Sequence, residues 1–145
     1  MGVFSGQEIL EGQQWEQLKR AGDRAIASWI NRQMADKDAV IVLVGSDTAR
    51  QRWVQYEINH AREEHIPMLG VRIHGLRDFA GDTSKAGDNP FDYLEKPYSK
   101  EALHDPTRLD SSYRIDSKAT YANIENNLQK WVEETICIRK LFGWR

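Results

Sequence analysis

The chain has 145 residues, a formal net charge of −2 and a single cysteine. This length suits one domain, 1–145, large enough to bury a core. The slightly acidic balance argues against nucleic-acid binding driven by counterion release, and the lone Cys137 excludes an intrachain disulfide. No apolar run approaches the ~20 residues of a membrane span, and the N-terminus lacks a signal-peptide pattern, so a cytoplasmic protein is expected. Lys19-Arg20 and Arg139-Lys140 are isolated basic pairs that read as solvated faces.

Val3-Phe4 is at most the end of a strand. From about Gln13 to Met34, residues Leu18, Ala25, Ile26, Trp29, Ile30 and Met34 recur at helical spacing, with Gly22 as a weak point or a close-packing site. Ala39 to Val44 is short, continuous and rich in β-branched residues, the pattern of a strand buried on both faces. Gly45-Ser46-Asp47-Thr48 turns the chain into a helix running to about His65, and Thr48 with Gln51 has the spacing of a capping box. Pro67 to Ile73 reads as a second strand, with proline where no ladder donor is lost. Strand, helix, strand implies a right-handed parallel crossover.

His74 to Asp110 holds three of the four prolines and several Gly and Asp residues. A stretch this long without its own structure is expected to be mobile and to cover a pocket in part, with Phe91 and Leu94 as anchors. Ser112 to Ile115 reads as a last short strand. Asp116 or Ser117 can cap a final helix over 116–141, with Tyr121, Ile124, Leu128, Trp131, Val132 and Thr135 in one stripe. Cys137 falls in that helical pattern and is expected to be a buried, inert thiol. Phe142-Gly143-Trp144 is an apolar tail.

Glu57 is the residue that breaks the pattern. At 100° per residue Trp53, Glu57, Ala61, Val54 and Ile58 share an arc of roughly 140°, and Glu57 lies inside it. A carboxylate beside Trp53 loses hydration, which raises its pKa and makes it a functional candidate. Its helix also follows the carboxyl end of a strand, where ligands of open α/β sheets bind. The plain alternative is a glutamate whose stem covers apolar surface while its head reaches water.

Other motifs return little. His60, His65, His74 and His104 do not cluster at metal-ligand spacing, and no metal site is expected. There is no Walker loop, no G-x-G-x-x-G and no G-x-S-x-G elbow. The backbone N–H groups of Gly45-Ser46-Asp47 can face a phosphate at a helix N-terminus, although a plain helix cap explains the same residues.

The ordered series Trp15-Glu16, Gly22-Asp23-Arg24-Ala25-Ile26, Trp29-Ile30, Val42-Leu43-Val44-Gly45-Ser46, Arg52-Trp53-Val54-Gln55-Tyr56-Glu57-Ile58 and Asn89-Pro90-Phe91-Asp92-Tyr93 resembles the TIR-like domain of bacterial Thoeris antiphage proteins. The resemblance implies an α/β, flavodoxin-like fold of three layers with a mostly parallel sheet. It implies an enzyme that needs no cofactor, takes NAD as substrate, and cleaves it at the nicotinamide–ribose bond. The product is a cyclic ADP-ribose-type signal that reaches a downstream effector. Glu57 matches the expected catalytic glutamate, with Ser46, Asp47 and Trp53 as substrate contacts. Family members carry a further strand before the equivalent of Val3-Phe4, the central one of a sheet ordered 2-1-3-4-5. Without it the strand at Ala39 to Val44 has an open apolar edge, which predicts either self-association into a homo-oligomer or burial of that edge under the chain's own N-terminal helix, with little NAD turnover. A non-catalytic TIR-like interaction module, in which Glu57 is structural, is the alternative.

Overall fold

The computed structural model describes residues 12–93 and 101–142. Val3-Phe4, Leu94 and Gly143-Trp144 lie outside them. By packing, Met1–Lys37 forms one compact unit and Asp38–Arg145 another.

In the first unit the expected helix is two: α1 spans Gly12–Ala21 and α2 spans Asp23–Met34. Gly22 separates them at φ +99°, a conformation that a side chain would strain, and its N–H reaches the carbonyl of Lys19 at 3.2 Å. Ile26, Ile30 and Met34, at helical spacing on α2, are buried as their pattern predicts.

The second unit is built on a parallel sheet of β1 (Val40–Val44), β2 (Met68–Arg72) and β3 (Ala102–His104), in that order. Val40 stands opposite Met68 and Val44 opposite Arg72, while Leu69 to Val71 face Ala102 to His104. Between β1 and β2 runs α3, Arg52–Glu63, and α4, Ser117–Phe142, follows β3. Consecutive parallel strands lying side by side match the 3-4-5 half of a flavodoxin-like sheet.

The two faces of the sheet are covered differently. Leu69 and Val71 pack with Val132 of α4, together with Ile124, Leu128, Trp131 and Ile136 of the same helix and Ala39 and Ile41 at β1. On the other face a methyl group at Gly70 would meet the side chains of Leu103 at 2.8 Å and Phe91 at 3.1 Å. Glycine in mid-strand weakens a ladder, but here it admits the ring that anchors the Pro90–Tyr93 3-10 turn.

Several expectations are corrected. β1 is not buried on both faces: Val42 and Val44 are buried, but Leu43 is 55% exposed, and its outer edge pairs with no other strand among the described residues. The capping box does not form. Thr48–Arg50 is a separate 3-10 turn, Thr48 Oγ1 accepts from the Gly45 N–H at 2.8 Å, and α3 begins behind Gln51 without a side-chain cap. α3 stops at Glu63, and His65 follows in the left-handed region at φ 57°.

The region 74–110 is not structureless, since it contains the 3-10 turn and β3. Ser112 to Ile115 is not a strand: the chain turns there, leaving one isolated antiparallel bridge between Leu109 and Ile115. Asp116 does cap α4, accepting from the Ala119 N–H at 3.0 Å. Tyr121, however, is 60% exposed, and buried Thr120 takes the inward place. Cys137 is exposed rather than buried. It lies beside inward-packed Ile136, a step of 100° that carries it off the buried stripe.

Candidate active site

Ile58 and Ala61, both fully buried, define the inner side of α3. Trp53 and Glu57, four residues apart, share one flank of the helix. The rings of Trp53 and Tyr56 meet edge to face at 5.5 Å, and Tyr56 stacks on His60 at 6.1 Å. The Arg52 guanidinium lies 4.8 Å from the Trp53 ring centre. This flank therefore presents a cation–aromatic ladder, half-exposed and aligned along the helix.

Glu57 sits beside that ladder, half-buried. Burial is the cause that lifts its carboxyl above the ordinary value of 4.5, and no counter-charge or hydrogen bond among the described residues opposes it. Among the described residues the sequence expectation for Glu57 thus holds in its physics: a carboxylate in poor solvent, without a cation.

Ser46 and Asp47 are exposed in the turn that leaves β1. No hydrogen bond, ion pair or ring contact among the described residues joins them to Trp53 or Glu57. The structure instead brings the Ser46 turn against a distant segment. A methyl group at Gly87 would collide with the carbonyls of Gly45 and Ser46, so the two backbones lie in close contact. Arg72, the last residue of β2, holds that segment by donating from Nη1 to the Gly87 carbonyl at 2.6 Å. Its neighbour Asp88 accepts from the Tyr93 hydroxyl at 3.0 Å and pairs with Arg50 at 3.6 Å.

Sequence reasoning missed Gln55. Its side-chain Nε2 donates to the carbonyl of Ala49 at 2.9 Å and to that of Pro90 at 3.0 Å. At 100° per residue it points about 160° away from Glu57, on the other flank of α3. The two stretches quoted for the family resemblance, around Trp53–Ile58 and Asn89–Tyr93, meet through this residue. The only sequence signal was that co-occurrence.

At the carboxyl ends of β2 and β3, His74 is buried and its Nε2 lies 3.2 Å from Thr107 Oγ1. Burial raises the neighbouring Asp105 carboxyl, but the Thr107 hydrogen bonds and the charges of His74 and Arg72 outweigh it, leaving the group below its ordinary value. No group of three or more metal-ligating side chains occurs among the described residues. No helix among them is long and apolar enough to cross a membrane.

Comparison with known proteins agrees with this architecture. The family model described as "Thoeris protein ThsB, TIR-like domain" matches residues 4–78, from the N-terminal region through β2, including Glu57. A Bacillus cereus (strain MSX-D12) protein named "Putative cyclic ADP-D-ribose synthase ThsB1" is 34% identical over 93 residues, 64% of this chain and 48% of the relative. The chain therefore spans about half the length of the curated relative it matches. With the family model covering more than half of its residues, the chain belongs to the TIR-like domain family of Thoeris protein ThsB.

Proposed function

We propose that this chain cleaves NAD at the nicotinamide–ribose bond and forms a cyclic ADP-ribose-type nucleotide, with Glu57 as the catalytic carboxylate. The observation that carries the reading is the half-buried Glu57 carboxyl, raised by burial and unopposed by any cation among the described residues. Heterolysis breaks the bond between C1′ and the pyridinium nitrogen. The electron pair leaves with neutral nicotinamide, and positive charge develops on the ribose. A carboxylate at that point stabilises the charge or holds the ribose hydroxyls, and its effect is greatest where water is scarce. Capture of C1′ by a nucleophilic atom of the same ADP-ribose unit, with loss of a proton, closes the ring.

Trp53, in its ladder with Arg52 and Tyr56, supports the reading as a surface for a planar base. Ser46 and Asp47, at the carboxyl end of β1, are the proposed contacts for the polar part of the dinucleotide. The product would reach a downstream effector as a diffusible signal, and the family relationship supports that role. Nicotinamide release from NAD, followed by chromatography with the wild-type chain and Glu57→Gln, tests the proposal. Release by the wild type and loss in the variant is the expected result. Equal release by both proteins sinks the role of Glu57.

A second reading, an assembly module without catalysis, is favoured by the β1 edge, unpaired among the described residues, and by Leu43, 55% exposed on that strand. Light scattering tests it: a homo-oligomer abolished by Leu43→Lys, with no nicotinamide released by the wild type, would establish assembly in place of chemistry. The two readings coexist if the oligomer is the active species.

A further inference from the structure

We infer that Gln55 is a positioning residue that locks the Ser46–Asp47 turn in its substrate-binding shape, by tying the 3-10 turn at Thr48–Arg50 to the one at Pro90–Tyr93. The inference rests on the proposed dinucleotide site, and it adds a residue outside the site that governs its geometry. Gln55 leaves α3 on the flank opposite Glu57, so it acts through the two turns and not on the reacting atoms.

The chemistry of the contact is specific to glutamine. Both partners, the carbonyls of Ala49 and Pro90, only accept, at 2.9 and 3.0 Å from Nε2. The amide nitrogen has two N–H donors and meets two acceptors, which also settles which end of the amide faces them. Glutamate has the same shape but would set a carboxylate against two carbonyl oxygens. Alanine would leave both carbonyls without this donor.

The tie is the base of a longer strap. Beyond Pro90 the segment runs back through Asp88, held to Arg50 at 3.6 Å and to the Tyr93 hydroxyl at 3.0 Å. It then reaches Gly87, held by Arg72 at 2.6 Å and seated on the carbonyls of Gly45 and Ser46. Three ties therefore press one segment onto the turn that carries Ser46 and Asp47. Arg50 and Asp88 are both exposed, so their pair is weak. Both Gln55 contacts are part-buried, and the one to Pro90 links positions 35 residues apart, so it constrains the loop more than a local hydrogen bond can.

Gln55→Glu and Gln55→Ala, the latter adding no repulsion, test the inference in the full chain. Backbone hydrogen exchange without substrate reads the clamp, and calorimetric titration with NAD, using Glu57→Gln to block turnover, reads the site. Exchange over 46–50 and 87–93 is expected to speed up on the order of tenfold in both variants, with NAD binding weakened by a similar factor. Where turnover is measured, KM rises and kcat changes little. Faster exchange with unchanged NAD binding overturns the inference, because the clamp would then serve the fold alone. Unchanged exchange overturns it as well. If the Glu57→Gln protein binds no NAD and the wild-type chain releases no nicotinamide, the dinucleotide reading falls and takes the substrate role of Gln55 with it, whereas the exchange data identify that failure as one of the reading and not of the clamp.

Discussion

Glu57 and Glu101 are both withdrawn from water, and among the described residues only Glu101 is given a cation. Glu101 Oε1 lies 3.2 Å from Arg62 Nη2, with the two side chains 9% and 22% exposed, and Arg139 of α4 also feels its charge. That pair joins α3 to the residue preceding β3, so its burial is used to hold two elements together. Glu57, five residues before Arg62 on α3, has burial without compensation among the described residues. A paired charge in poor solvent is a fastening, and removing one partner exposes the cost of the other. An unpaired one costs stability, so it is a candidate for use by something outside the fold.

The sharpest way to break the comparison is Glu57→Gln. If its carboxylate stabilises developing charge, nicotinamide release should fall by about 10²–10³-fold or more, while the melting temperature should not fall. A drop of ten degrees or so would make Glu57 another fastening. Glu101→Gln should do the reverse. Loss of the charge weakens the tie between Arg62 and the residue preceding β3, which for a part-buried hydrogen bond to a charged group costs about 1.5–3 kcal/mol. That corresponds to roughly 3–5 °C of melting temperature per kcal/mol in a domain of this size. Below its melting point Glu101→Gln should bind NAD as the wild type does. A variant as stable as the parent would show that Arg62 and Glu101 touch without holding anything.

The contrast between these carboxylates was half legible in the sequence. Glu57 declared itself because four apolar neighbours at helical spacing surround it on one arc, and periodicity within one helix is local information. The Val40–Val44 run and the Asp116 cap were readable for the same reason. Glu101 gave no such signal, since Arg62 lies 39 residues away, and neither did Gln55, whose acceptor Pro90 is 35 residues distant. β3 was invisible because Ala102-Leu103-His104 has no strand pattern of its own, and its pairing with Leu69 to Val71 makes it a strand. The Thr48–Gln51 spacing misled because the Thr48 hydroxyl accepts backward from Gly45 and closes a tighter turn before α3 starts.

Titration of Glu57 sharpens the same point with a smaller effect. Its folded-state value is raised above 4.5, so between the unfolded and folded values the native state holds more protons than the unfolded one. Stability is then full below the unfolded value and is lost as pH rises through the folded one. Glu57→Gln should abolish that loss, leaving the variant more stable than the wild type at neutral pH and equal to it below about pH 4. Thermal melting across that range checks it. Parallel curves for the two proteins would mean that the carboxyl is solvated after all.

The smallest expected effect concerns a group that is only partly answered, and so falls between the two glutamates. His104 of β3 stacks on Trp131 of α4 with ring centres 4.4 Å apart. Burial lowers its value from the ordinary 6.5, and the nearby Glu134 carboxylate pulls in the other direction without prevailing. Here the native state binds fewer protons than the unfolded one, so the sign is opposite to that of Glu57. The stabilising contribution is present above pH 6.5 and is lost as pH falls through the folded value. His104 is only partly buried, so screening should hold the whole effect to a fraction of a kcal/mol. Glu134→Gln removes the opposing charge and should push the histidine lower still, making the loss of stability on acidification steeper. A histidine NMR titration reads this directly, free of the carboxylates that dominate melting at low pH. A His104 value that does not move in Glu134→Gln would show that Trp131 and burial alone govern the ring.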